Sequence, residues 1–159
     1  MRAIGNILWF IFGGLLMGVC WILTGLVAFV SVVGIPWAKA CFIIAQLSFL
    51  PFGKEVMCRQ EFTRIGDIGT GVFGTLGNLV WFIFAGAWLA IGHILCSLLC
   101  FISVIGIPFG IQHLKLAGLA LFPIGKIVVD KATATAARRA NGSGITISIP
   151  IPEKLQSNR

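Results

Sequence analysis

The stretch Gly5-Asn6-Ile7-Leu8-Trp9-Phe10-Ile11-Phe12-Gly13-Gly14 returns about 72 residues later as Gly77-Asn78-Leu79-Val80-Trp81-Phe82-Ile83-Phe84-Ala85-Gly86. The alignment continues without a gap. Phe29, Ser31, Val32, Gly34, Ile35 and Pro36 match Phe101, Ser103, Val104, Gly106, Ile107 and Pro108, and Pro51, Gly53 and Lys54 match Pro123, Gly125 and Lys126. Chance apolar similarity would not preserve an asparagine, a serine and several glycines and prolines in register. The chain is therefore a duplication of one unit, which reads G-N-x-x-W-F-I-F-x-G, a long apolar run, S-V-x-G-I-P, a shorter apolar run and P-x-G-K.

Composition gives the solvent for that unit. Mean hydropathy is +1.01 and only 11% of residues are charged, against roughly 25% in soluble domains. Ile4 to Val33 holds no charged residue, and Leu76 to Ile105 holds no Asp, Glu, Lys or Arg and a single histidine, His93. At about 1.5 Å per residue, a helix of either length exceeds a hydrocarbon core of roughly 30 Å. The first run is also too long for a signal-peptide core and lacks a small-x-small cleavage site, so it reads as a retained membrane helix. Gly34 and Gly106 end the long helices, and Pro36 and Pro108, lacking an N–H, suit the first turn of a new one. These four residues are the expected hinge, followed by short helices from about Pro36 to Leu50 and Pro108 to Phe122.

The expected fold is thus an all-α membrane protein of tandem helical units. Each unit is a long transmembrane helix followed, after the Gly-Ile-Pro hinge, by a shorter membrane-embedded helix. Residues 1–57 form the first repeat, 58–75 a polar connecting loop, 76–129 the second repeat and 130–159 a soluble C-terminal tail. In that tail Ala132 to Ala140 is helix-prone, Asn141-Gly-Ser-Gly should break the helix, and the isoleucine alternation from Ile145 to Ile151 fits a short edge strand. The short helices, at about 22 Å, either cross thinly or re-enter.

The net charge is +7, and the basic residues sit almost wholly in the central loop and the tail, which is the signature of positive-inside orientation and not of nucleic-acid binding. If each short helix returns to its starting side, Arg2, Lys54, Arg59, Arg64, Lys126, Lys131, Arg138 and Arg139 all face the cytoplasm. If the short helices lie on the surface, the two units are inverted and the central loop goes outside with three basic residues; the positive-inside bias favours four membrane segments, parallel repeats and both termini cytoplasmic. The loop's Glu55, Glu61 and Asp67 nearly neutralise it. The five cysteines form no CxxC pair and read as apolar packing residues; no metal or other cofactor is expected.

The quoted motifs resemble those of a bacterial inner membrane protein family called YccF, whose repeated unit is known as the inner membrane component domain. The resemblance covers about Ile4 to Val129 in two tandem copies. It implies a bacterial inner membrane location and supplies neither a substrate nor a catalytic residue.

Candidate polar-path or vestibule residues are Asn6, Asn78, Ser31, Ser103, His93, Gln112, His113 and Lys115. Each has a simpler reading. Asn6 and Asn78 can cap or bridge helices, Ser31 and Ser103 can bond backbone freed around proline, and His93, opposite Trp21 in the repeat, can be a packed neutral ring. Gln112, His113 and Lys115 either line an aqueous vestibule or subunit interface, or snorkel to headgroups. Trp9, Phe10, Trp81 and Phe82 are expected at the membrane interface, and Gly13, Gly14, Gly18 and Gly25 at close helix contacts, with Gly14 and Gly18 in a small-xxx-small spacing. No constellation resembles an active site. Two functions follow from these features: a homo-oligomeric small channel or transporter subunit, or a non-transporting module that binds anionic lipid or another membrane protein.

Overall fold

A computed structural model describes residues 2–32, 34–66 and 71–143. Asp67 and the proposed Ile145–Ile151 strand lie outside these residues. The first unit contains α1 (Arg2–Trp9), a π-helical turn (Phe10–Gly14), α2 (Leu15–Val30), α3 (Ile35–Phe49), β1 (Lys54–Cys58) and α4 (Arg59–Thr63). The second repeats this order with α5 (Val72–Trp81), a π turn (Phe82–Gly86), α6 (Ala87–Phe101), α7 (Ile107–Leu121), β2 (Lys126–Asp130) and α8 (Lys131–Ser143). Helices Ala3–Val30 and Val72–Phe101 are long and apolar enough to cross a membrane.

Both long helices are interrupted where the motif reads W-F-I-F-x-G. In an α-helix of 3.6 residues per turn, positions i and i+5 do not face one way, whereas one wider π turn brings them together. Trp9 consequently folds over Gly14, and Trp81 over Gly86. Each indole then donates to a carbonyl of the short helix, Trp9 Nε1 to Ser48 O at 2.6 Å and Trp81 Nε1 to Ala120 O at 2.8 Å. Both tryptophans are buried, at 0% and 4% exposure. An indole N–H that finds a carbonyl inside needs no headgroup partner. Phe10 and Phe82 remain exposed.

Each unit is an antiparallel helix hairpin, α2 on α3 and α6 on α7, closed at its base by an asparagine. Asn6 Oδ1 accepts from Phe52 N at 3.1 Å; Asn78 Oδ1 accepts from Ile124 N at 2.9 Å, and its Nδ2 donates to Ile124 O at 3.2 Å. Gly18 lies under the Phe49 ring and Gly25 against Cys41, so these small residues pack helices within the chain.

The all-α expectation is corrected by a two-stranded antiparallel sheet. Strand β1 pairs with β2 in the register Lys54↔Asp130, Val56↔Val128 and Cys58↔Lys126. Short apolar runs beside P-x-G turns pair because the repeat brings two copies together. Arg59 N donates to Gly125 O (2.7 Å) and Lys131 N to Gly53 O (3.0 Å), matching bonds at equivalent positions. Under the sheet, Met57, Phe62, Ile127, Val129, Ala134 and Ala137 form a second small core. The central loop and the tail helix are therefore not separate connections; α4 and α8 fold together on one sheet. Helix α8 passes through Asn141 and Gly142 to Ser143, beyond the expected break.

Candidate functional site

Val56 and Val128 are equivalent positions of the two units and pair directly. So do Trp21 and His93, 72 residues apart, whose rings are hydrogen-bonded. A contact between equivalents marks a pseudo-two-fold axis, and these two contacts place that axis through the sheet and the interior of the bundle.

A chain of polar groups crosses this axis. Trp21 Nε1 lies 3.0 Å from His93 Nε2, His93 Nδ1 lies 3.0 Å from His113 Nδ1, and His113 Nε2 lies 3.1 Å from the Phe12 carbonyl. Its ends fix its protons. An indole N–H can only donate, so His93 Nε2 is bare and its proton sits on Nδ1; a carbonyl can only accept, so His113 carries its proton on Nε2. Both rings are neutral, and the bonds all run from Trp21 toward Phe12. The Cys100 thiol, 3.5 Å away, also points at the Phe12 oxygen. Trp21, His93 and His113 have 0% exposure, so each of the five ring nitrogens has a partner where an unmet one would cost roughly 1–3 kcal/mol.

The acceptor exists because the first π turn is distorted. Phe12 (ψ 27°) and Gly13 (φ 110°) leave helical geometry, turning the Phe12 carbonyl to the second unit. Only glycine fits there, since a Cβ would meet His113 Nε2 at 2.9 Å and the φ is in the left-handed region. The second unit has Ala85 at this position and keeps helical geometry. Aromatic rings seal the site: Trp9 covers His113 at 4.3 Å between centroids, Phe12 stacks on Phe109 at 5.2 Å, and Trp21 stacks on Trp81 at 6.2 Å. Ser97 Oγ, also buried, donates to Gly110 O at 2.9 Å.

The remaining candidates lie elsewhere. Ser31 Oγ donates to Ala28 O at 2.7 Å and accepts from Gly34 N at 3.1 Å; Ser103 Oγ accepts from Gly106 N at 2.9 Å. Gln112 is half-buried and Lys115 exposed on the outer side of α7, so the structure separates them from His113. Asn6 and Asn78 bind the unit bases, as described. Among the described residues no cluster of three His, Cys, Asp or Glu could hold a metal. Sequence reasoning missed Phe12 and Cys100, and read Gly13 only as a point of close helix approach. The signal available was the asymmetry between repeats, Gly13 against Ala85 and Trp21 against His93.

The two units also match a family model separately. The inner membrane component domain aligns with residues 4–54 and again with 76–126, the same offset that relates Trp21 to His93. The chain belongs to the YccF family. It is similar to the inner membrane protein YccF of Escherichia coli (strain K12), with 41% identity over 144 residues, 89% of this chain and 96% of that protein. The protein of the same name from Shigella flexneri matches to the same extent. No solved structure matches the chain. Membership of the YccF family gives the chain an inner membrane location.

Proposed function

We propose that this YccF-family chain is a non-conducting inner membrane module with both termini in the cytoplasm, whose sheet and α8 present a basic surface to anionic lipid headgroups. The carrying observation is the sealed axis. The place where a path between the units would run is filled by Trp21, His93 and His113, whose polar atoms are already committed to one another. No ring nitrogen is left to contact a permeant ion. A cavity of about 10 Å³ beneath the sheet, lined by Ile44, Val56, Leu119, Lys126 and Val128, is no more than water-sized.

Orientation is supported by the sheet. Both units end in one sheet and begin beside it, so entry and exit of each unit share a face. That face carries Lys54, Arg59, Arg64, Lys126, Lys131, Arg138 and Arg139 against Glu55, Glu61 and Asp130. The positive-inside bias puts it in the cytoplasm, where basic residues meet anionic lipid. Part of the charge is used internally: Lys54 pairs with Asp130 at 3.0 Å, and Arg138 with Glu55 and Glu61.

The second reading, a homo-oligomeric channel or transporter subunit, is favoured by Gln112 and Lys115 on the outside of α7, where copies could meet around a polar path. Flux separates the two. Purified protein in liposomes should pass H⁺, K⁺ and Cl⁻ no faster than protein-free liposomes, and reporters fused in the central loop and at the C-terminus should both read as cytoplasmic. Protein-dependent ion flux would restore the channel reading.

A further inference from the structure

We infer that both hairpins are re-entrant, inserting from the sheet face with their tips among acyl chains and returning without emerging on the far side. The inference rests on the sheet lying at the aqueous surface, as proposed above. Length sets the first bound. Helices α3 and α7 have 15 residues each, about 22 Å, and each is tied to the sheet within a few residues of its end; a hydrocarbon core is roughly 30 Å.

Tilt sets a tighter bound. Trp37, near the tip of the first hairpin, donates its Nε1–H to Gly77 O at 3.0 Å. Gly77 lies at the base of the second unit, beside Asn78 and Ile124. At the equivalent place Phe109 meets Phe52 edge-on, with centroids 5.9 Å apart. An indole and one hydrogen bond span about 10 Å between Cα atoms. Each tip thus leans over the other unit's entry, and the turn beyond it lies within about 15 Å of entry level, the depth of one hydrocarbon leaflet.

The tip chemistry fits that depth. Val30, Val32, Ile102, Val104 and Ile105 are 79, 71, 82, 84 and 69% exposed, whereas a turn in water usually takes polar residues or glycine. Val32 even holds a φ of 59°, strain that a glycine or asparagine would relieve. Hydrocarbon also demands that backbone groups find partners inside the segment. Here Ser31 N reaches Val27 O, Val32 N reaches Phe29 O, Ile35 N reaches Val32 O, and Gly34 N reaches the Ser31 hydroxyl. In the second turn Ser103 N bonds Cys100 O, Gly106 N bonds both Ser103 oxygens, and Ile107 N bonds Val104 O. Pro36 and Pro108 each remove a donor altogether.

The test uses the full chain with Cys58, the exposed native thiol, replaced by serine, and single Val32→Cys and Val104→Cys variants compared with that background. An impermeant maleimide should label neither variant above background in intact cells or in inverted vesicles, and should label both after detergent. A bimane on each cysteine, attached in detergent before reconstitution, should be quenched best by lipids brominated near the chain ends. Labelling from the periplasmic side in intact cells would make the hairpins spanning, and labelling from the cytoplasmic side would take the tips out of hydrocarbon; either overturns the inference. If the C-terminal reporter reads as periplasmic while both tips stay unlabelled, the assigned face is wrong and re-entrance stands.

Discussion

Gly106→Ala is expected to lower stability by about 3 kcal/mol, the upper end of the cost of overpacking a rigid site. The reason is not φ, which is an ordinary −74°. A Cβ at Gly106 would press into the Cys100 carbonyl oxygen, and at Gly34 into that of Ala28, both inside normal contact distance and both backbone atoms that cannot swing away. Opening the turn to make room breaks the bond from Gly106 N to Ser103. Gly34→Ala should behave alike. Gly118→Ala is the control, since nothing lies within 4 Å of its Cβ position; replacing this helical glycine should be neutral or stabilise by up to about 1 kcal/mol. Thermal unfolding in detergent, read by circular dichroism, compares the three. Equal midpoints for Gly106→Ala and Gly118→Ala would refute the close-approach explanation.

His113→Leu is expected to cost about 2–5 kcal/mol, because it strands the His93 Nδ1 proton and leaves the Phe12 carbonyl only the weak Cys100 donor. His93→Leu strands Trp21 Nε1 and His113 Nδ1 in the same way. The double variant should lose less than the sum of the two, by about 1 kcal/mol or more, since the penalty of one orphaned ring disappears with the other ring. Strict additivity in denaturant unfolding would show that the rings do not form a bonded pair.

These two sites differ in how far the sequence announces them. The S-V-x-G-I-P turn was legible because proline and glycine act locally, and the structure places helix starts at Ile35 and Ile107, one residue from the expected positions. The duplication followed from register, and the family model matches it at residues 4–54 and 76–126. The sheet was not legible, since Lys54–Cys58 and Lys126–Asp130 are too short to show a strand period and pair only because the duplication superposes them. His93 could be named as a packed neutral ring, but His113 was expected at water or headgroups and is fully buried; their contact depends on how one unit leans on the other. The partners of Trp9 and Trp81 were not legible either, because the acceptors at Ser48 and Ala120 lie 39 residues away in the chain.

The most direct test of the shared sheet, on which the same-face arrangement of the two units rests, is a cross-link between Val56 and Val128. These residues pair directly across antiparallel strands, where Cβ atoms stand about 4.5–5.5 Å apart, close enough for oxidation to bridge two cysteines with slight adjustment. In the Cys58→Ser chain, Val56→Cys/Val128→Cys should form an intramolecular disulfide under mild oxidation, seen as a reducible gel shift and a mass loss of about two hydrogens. Val56→Cys/Ile105→Cys, joining the sheet to a hairpin tip, should not. Free alkylation of both cysteines in Val56→Cys/Val128→Cys after oxidation, with no monomeric disulfide, would contradict the shared sheet.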